Sequence, residues 1–317
     1  MAVVEPYMVK SEYLLDTGES FTLKADTGES FLVKDIRIAK ASCDYCVVSI
    51  DRDTVGFFRL DNHSLSSHLM PPRFAVKSDY SGFVSTESKT LLNLMVERGY
   101  FNGFPVAEGQ KLVISPYPAS GSLRHVAVKY EKYSAEDIKK DMINGSEAKE
   151  YVYVVYGRIS ETVKDAGEYV YDTIVNPEEF LDFPFERECP AKTEIELLGI
   201  TGWEAISVAD ASNYTYTKYL KLFKGRKILF DSEKKGLPIY QWYFTGASGQ
   251  SGGRGLSVLG QYTSVDYRLP LLFGTPVKFT AGEELRIILE VGVEGSGNAF
   301  TDTFLELGLI LRAKITE

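Results

Sequence analysis

The chain has 317 residues, a net charge of −9, and 25% charged and 44% hydrophobic residues. That length can hold two domains with substantial cores, and the composition is globular rather than disordered. The acidic balance argues against a broad nucleic-acid-binding face. No run of 18 apolar residues offers a transmembrane helix, and the start Met1-Ala-Val-Val-Glu-Pro-Tyr7 lacks the regions of a signal peptide.

Taken in order, most segments read as strands. Asp16-Thr-Gly-Glu-Ser-Phe21 is repeated as Asp26-Thr-Gly-Glu-Ser-Phe31, which reads as strand, turn, strand. Residues 30–38 end in clean alternation. Residues 46–50 and 55–60 read as a hairpin over the polar turn 51–54. Residues 87–98 predict a helix with Leu91, Leu94 and Met95 on one face and Gly99 as its stop. Strands at 111–114 and 125–130 close a first domain, 1–133, with an N-terminal arm.

Residues 134–185 read as a connector. Ser134 and Asp137 sit at capping-box positions before a helical turn at 138–142. Residues 151–159 and 169–175 read as a second hairpin, over 165–168. The polar, Pro-bearing stretch 176–184 makes a boundary. Strands at 194–200, 204–208, 219–223, 239–244, 284–291 and 303–312 then build a C-terminal domain, 186–317. The fold class is all-β, with a few short helices in loops.

The strongest internal signal is a repeat about 170 residues apart. Gly103-Phe-Pro-Val-Ala-Glu-Gly-Gln-Lys-Leu-Val-Ile114 is echoed by Gly274-Thr-Pro-Val-Lys-Phe-Thr-Ala-Gly-Glu-Glu-Leu-Arg-Ile287, with two residues inserted. Ser120-Gly121 and Ser296-Gly297 follow as turns. One β-fold used twice is the expected reading, with Leu112/Ile114 and Leu285/Ile287 at matching inward positions.

No constellation announces catalysis. Cys43-Asp-Tyr-Cys46 is a lone C-x-x-C; zinc wants four ligands, and Cys189, His63, His68 and His125 show no paired spacing. No metal and no cofactor are expected, and Cys43 and Cys46 read as thiols. His63 and His68, with Asp61, lie in a polar loop. The pairs Glu178-Glu179 and Glu283-Glu284 fall at turns or edges, without the apolar setting that raises a catalytic carboxyl. Gly246, Gly249, Gly252, Gly253, Arg254 and Gly255 mark a Gly-rich loop without the Lys-Ser/Thr of a phosphate loop, and it reads as an assembly loop. Sequons at Asn62, Asn144 and Asn213 are candidate glycosylation sites. Trp203 and Trp242 are the two tryptophans a glycan platform could use. Asn (7), Gln (4), Cys (3) and Met (5) are scarce, a composition reported for heat-adapted proteins.

The repeated pattern, with the helix at 87–98 just before the first G-x-P-V segment, resembles the double jelly-roll major capsid proteins of tailless icosahedral viruses with an internal membrane. The composition points towards the turreted icosahedral viruses of thermophilic archaea. The resemblance implies two tandem jelly-roll sandwiches and a structural, non-enzymatic subunit. Three copies would form a pseudo-hexameric capsomer assembled in the host cytoplasm into the virion. The implied partners are its own copies, minor capsid proteins and an internal membrane, with no direct nucleic acid. The second copy departs from the family in lacking a helical pattern at 261–272. Two alternatives remain open: a receptor- or glycan-binding β-sandwich of a turret or tail, and a carbohydrate-active enzyme on a jelly-roll fold.

Overall fold

The computed structural model describes residues 3–43, 45–60, 90–139, 149–158, 167–171, 188–205, 214–230, 234–238, 260–262, 268–294 and 304–316. These residues are almost entirely antiparallel β-structure with one short helix. The chain gathers into two compact units. One is built mainly from Met1–Tyr153, the other mainly from Val154–Thr263 and Arg268–Ala313.

The first unit contains β1 (Val3–Glu12), β2 (Phe21–Lys24), β3 (Glu29–Ala41), β4 (Tyr45–Ile50), β5 (Asp53–Arg59), α1 (Leu91–Glu97), β6 (Phe104–Val106), β7 (Lys111–Tyr117) and β8 (Leu123–Ser134). One sheet has the order β1-β8-β3-β6, and a second has β2-β7-β4-β5. Alternation along β4 and β7 is the sequence pattern made physical: Cys46, Val48, Ile50, Leu112 and Ile114 are fully buried, and the residues between them are not. Phe21, Phe58, Ile36 and Ile38 complete the core.

Both Asp-Thr-Gly-Glu segments form the same turn. The Glu19 N–H donates to the Asp16 carbonyl and the Glu29 N–H to that of Asp26. Each glutamate carboxylate accepts in return from the N–H of its aspartate. Phe21 and Phe31 then both enter the core. The 46–50/55–60 hairpin is present, but its connection is only Asp51-Arg52, since Ile50 already faces Asp53. Helix α1 starts at an N-cap, Thr90, whose hydroxyl accepts from the Asn93 N–H at 3.1 Å. Gly99, at φ 71°, stops it in a Schellman arrangement: Tyr100 N–H to Met95 O, and Gly99 N–H to Val96 O. Its buried face is Leu91, Leu92 and Met95; Leu94 is half-buried instead. Ser134 and Asp137 close a turn at the end of β8 rather than capping a described helix, and residues 140–142 lie outside the described residues.

β9 (Lys149–Arg158) begins in the first unit and runs into the second. The second unit adds β10 (Gly167–Tyr171), β11 (Thr193–Ala205), β12 (Tyr214–Lys224), β13 (Lys227–Leu229), β14 (Leu237–Pro238), β15 (Gly260–Tyr262), β16 (Arg268–Thr280), β17 (Leu285–Glu294) and β18 (Phe304–Ile315). Their orders are β9-β18-β11-β16-β15 and β10-β17-β12-β13.

Three sequence expectations change here. The segments at 194–200 and 204–208 are not separate strands up to residue 205, because β11 runs unbroken through Thr193–Ala205. The hairpin expected between 151–159 and 169–175 does not form, since β10 pairs with β17, Tyr171 facing Ile287. Lys221 on β12 pins that edge, paired with Glu168 of β10 and, at 3.1 Å, with Glu290 of β17. The second G-x-P-V segment, for which the sequence reading names no strand, lies within one long strand, β16.

The repeat is physical, with a two-residue offset. Gly109 (φ 79°) and Gly282 (φ 80°) make the same turn, and Leu112, Ile114, Leu285 and Ile287 are all buried beyond it. Upstream, however, Val106 faces Phe31 of β3, and Phe279, not Val277, faces Ile195 of β11. The two extra residues are absorbed within β16. An insertion of two preserves which side chains face inward, because a strand repeats every two residues.

Candidate functional site

Cys43, Cys46 and Cys189 form no disulfide with one another, and all three are buried. Burial, reinforced by Cys43, pushes the Cys46 thiol well above its usual pKa. Burial raises Cys189 to about 11, opposed by a backbone hydrogen bond at Ile195. Burial keeps both thiols protonated within the packed core. Among the described residues no group of three or more His, Cys, Asp or Glu stands close enough to hold a metal ion. The His125 ring lies tilted against that of Tyr13, with centroids 4.3 Å apart.

Carboxylates are engaged in structure. The Glu283 carboxylate accepts from the Thr280 N–H at 2.8 Å and pairs with Lys224 at 3.0 Å. The Thr280 backbone bond, and then Lys224, hold it below the usual range. Burial pushes Glu196 up, but hydrogen bonds and charge from Arg312 and Lys278 outweigh that and keep it low. An open pocket at this end of the second unit is lined by Glu188, Lys224, Arg226, Lys227, Glu283 and Arg286. Its mixed charges sit on the repeated turns, and nothing in it aligns a nucleophile with a base.

Trp203 lies on β11. Asn62, Asn144 and Asn213 lie outside the described residues, as do His63, His68, Glu178, Glu179 and Trp242. The same holds for Gly246, Gly249, Gly252, Gly253, Arg254 and Gly255.

The most unusual described surface is one that motif reading passed over. β1 ends its sheet order and, among the described strands, pairs with β8 alone. Val3, Val4, Tyr7 and Val9 on it, and Tyr13 and Leu15 just after it, are exposed, Tyr7 at 64% and Val9 at 66%. Lys129 covers the Tyr7 ring from 4.4 Å but leaves the stripe open. The opposite face of β1 carries charge. Lys10, across from buried Val128, donates to the Thr22 carbonyl at 2.6 Å and pairs with Glu12 at 3.0 Å. Inward charge of this kind discourages indiscriminate edge pairing, while an apolar outer face invites a specific contact. The signal available in sequence was the alternation Tyr7, Val9 against Met8, Lys10.

No protein-family model matches the chain, and comparison with curated proteins finds no match.

Proposed function

We propose that this chain is a structural capsid subunit, a double jelly roll that assembles as trimers into an icosahedral shell. The observation that carries the reading is the strand order. β1-β8-β3-β6 opposed to β2-β7-β4-β5 is the eight-stranded order of a jelly roll. β9-β18-β11-β16 with β10-β17-β12-β13 repeats it place for place, the additions being β15 at one edge and the two-residue β14, which pairs with β12. α1 falls between the fifth and sixth strands of the first unit, β5 and β6, one place earlier than the capsid resemblance implies.

Two similar rolls in one chain, taken three times about an axis, approximate a hexagon that tiles a surface. Such a subunit needs no cofactor and performs no reaction. Its partners are its own copies, with minor capsid proteins and an internal membrane beneath, and its place is the virion. The Gly-rich loop around Gly246–Gly255 is proposed as an assembly loop ordered by a neighbour. The test is the mass of the purified protein by analytical ultracentrifugation. A stable trimer or a shell is expected. A monomer at high concentration that binds glycans would move the reading to a receptor- or glycan-binding sandwich.

A further inference from the structure

The exposed edge of β1 has a counterpart whose occupant is visible. β1 and β9 hold the same place: each flanks the strand that ends its roll, β8 or β18. The other edge of β9 is taken, within the first unit, by β5, which runs parallel to it with Gly56 facing Val152 and Phe57 facing Tyr153. No described strand pairs with the other edge of β1.

The strand in β5's place in the second unit is β13. It leaves β12 through Gly225-Arg226 as β5 leaves β4 through Asp51-Arg52. Lys224 faces Lys227 as Ile50 faces Asp53. The first residues of both turns share a positive φ, 56° and 54°. Both also donate to the strand beyond, Gly225 N–H to Glu284 O at 2.8 Å and Asp51 N–H to Lys111 O at 2.9 Å. Counting along the registers, Leu229 matches Gly56; Phe230, directly after the strand and at φ 57°, stands next to the place of Phe57 and lies against Phe273, ring centroids 4.6 Å apart. Phe230 is 41% exposed, a large apolar side chain beside an edge with no described strand along it.

We infer that the β13–Phe230 edge of one copy docks, in parallel, on the β1 edge of the next, reproducing between chains the β5–β9 pairing within the chain. The two edges complement each other. The β1 side offers Tyr7 and Val9 with exposed Glu5, and the β13 side offers Phe230 with exposed Arg226 and Lys227. The contact joins two different surfaces, so it is head-to-tail and must close into a ring to stop growing; three copies close it if each step turns through a third of a circle. Backbone pairing along strands supplies affinity and the flanking side chains supply selectivity. The inference rests on the self-assembly reading and names its contact.

The test uses the whole chain as Val9→Cys, Phe230→Cys and the double variant, joined by a flexible bis-maleimide linker. The native thiols are buried and stay out of the reaction. Mixing the two single variants is expected to give covalent dimers that neither gives alone, and the double variant to give a covalent trimer. Tyr7→Lys/Val9→Lys, at exposed positions, is expected to keep the circular dichroism spectrum and weaken association at least tenfold. Cross-linking of Val9→Cys to itself would overturn the head-to-tail contact. A wild-type trimer that does not cross-link between 9 and 230, and that survives the lysine pair, would overturn this contact and leave the capsid reading standing. A monomeric wild type would overturn both.

Discussion

Gly282 donates its N–H to the carbonyl of Cys189 at 2.8 Å, and the Cys189 N–H returns a bond to the residue after Gly282, Glu283, at 2.9 Å. Ala25 makes the same exchange with Gly109 and Gln110, both at 3.0 Å. In each unit this two-bond clasp joins the turn ahead of the long central strand to the turn that leads into a buried Leu-x-Ile. Cys189 thus does the work of an alanine, its thiol donating to Thr193 O at 3.3 Å. Cys189→Ala is expected to fold normally and to cost roughly 1 kcal/mol, a single buried hydrogen bond, by urea denaturation. A loss of metal or of activity on this change would show a chemical role.

The thiols also set an alkaline limit. The thiol of Cys189, raised to about 11 from 9.0 chiefly by burial, stays protonated in the folded chain when it would ionise in the unfolded one. Its contribution is complete below pH 9 and is lost as pH rises through about 11. Tyr133, raised from 10.0 to about 12 by burial and then by its bond to Glu131, extends the same loss upward. Melting temperature is expected to fall steadily above pH 9. Cys46 and Cys189 are expected to resist a thiol reagent at pH 8 until the chain is unfolded.

At the acid end the sign reverses. The Glu196 carboxyl is held below the ordinary 4.5, so it stabilises the fold above that pH and loses the contribution as pH falls through its folded value. Glu196 is 4% exposed, and Arg312 Nε reaches it at 2.7 Å. Arg312→Met is expected to cost roughly 1.5–3 kcal/mol at pH 7, the range for a hydrogen bond to a charged group. The difference from wild type is expected to shrink towards pH 3, measured by denaturation at each pH. A pH-independent difference would mean that packing of the Arg312 stem, not charge, holds the pair.

The two glycines that open the sequence repeat are expected to behave differently. A Cβ on Gly103, at φ 122°, would meet Leu32 Cγ and Val33 O at 2.8 Å. On Gly274 it would meet nothing within 4 Å. Gly103→Ala is expected to cost roughly 1–3 kcal/mol for strained backbone. Gly274→Ala is expected to be neutral or mildly stabilising, by up to about 1 kcal/mol. Equal costs in thermal denaturation would mean that the glycines are equivalent after all and that the two-residue offset is wrong.

Leu112 and Leu285 are expected to behave alike. Both are essentially inaccessible, at 0% and 1%, and both follow the same turn. Leu→Ala at either is expected to cost roughly 2–5 kcal/mol, the range for a buried leucine that leaves a cavity. A change below about 1 kcal/mol at Leu285 would place it outside the core.

Local chemistry was legible in the sequence by itself. Asp-Thr-Gly-Glu dictated two turns because a glutamate three residues on can reach back to the free backbone N–H. Gly99 ended α1 because its left-handed conformation costs glycine little. Leu112-x-Ile114 and Leu285-x-Ile287 declared inward faces through their period of two. What only tertiary structure decided was partnership. Alternation says which face of a strand is buried but not which strand lies beside it, so β10 read as half of a local hairpin although it pairs with β17, more than a hundred residues away. The same blindness aligned Val106 with Val277. Only hydrogen-bond register against Phe31 and Ile195 assigns Phe279 to that place. The exposure of Tyr7 and Val9 is likewise decided by the fold: Val9 faces Lys129 on the outer side of the sheet, while Lys10 faces buried Val128 on the inner side.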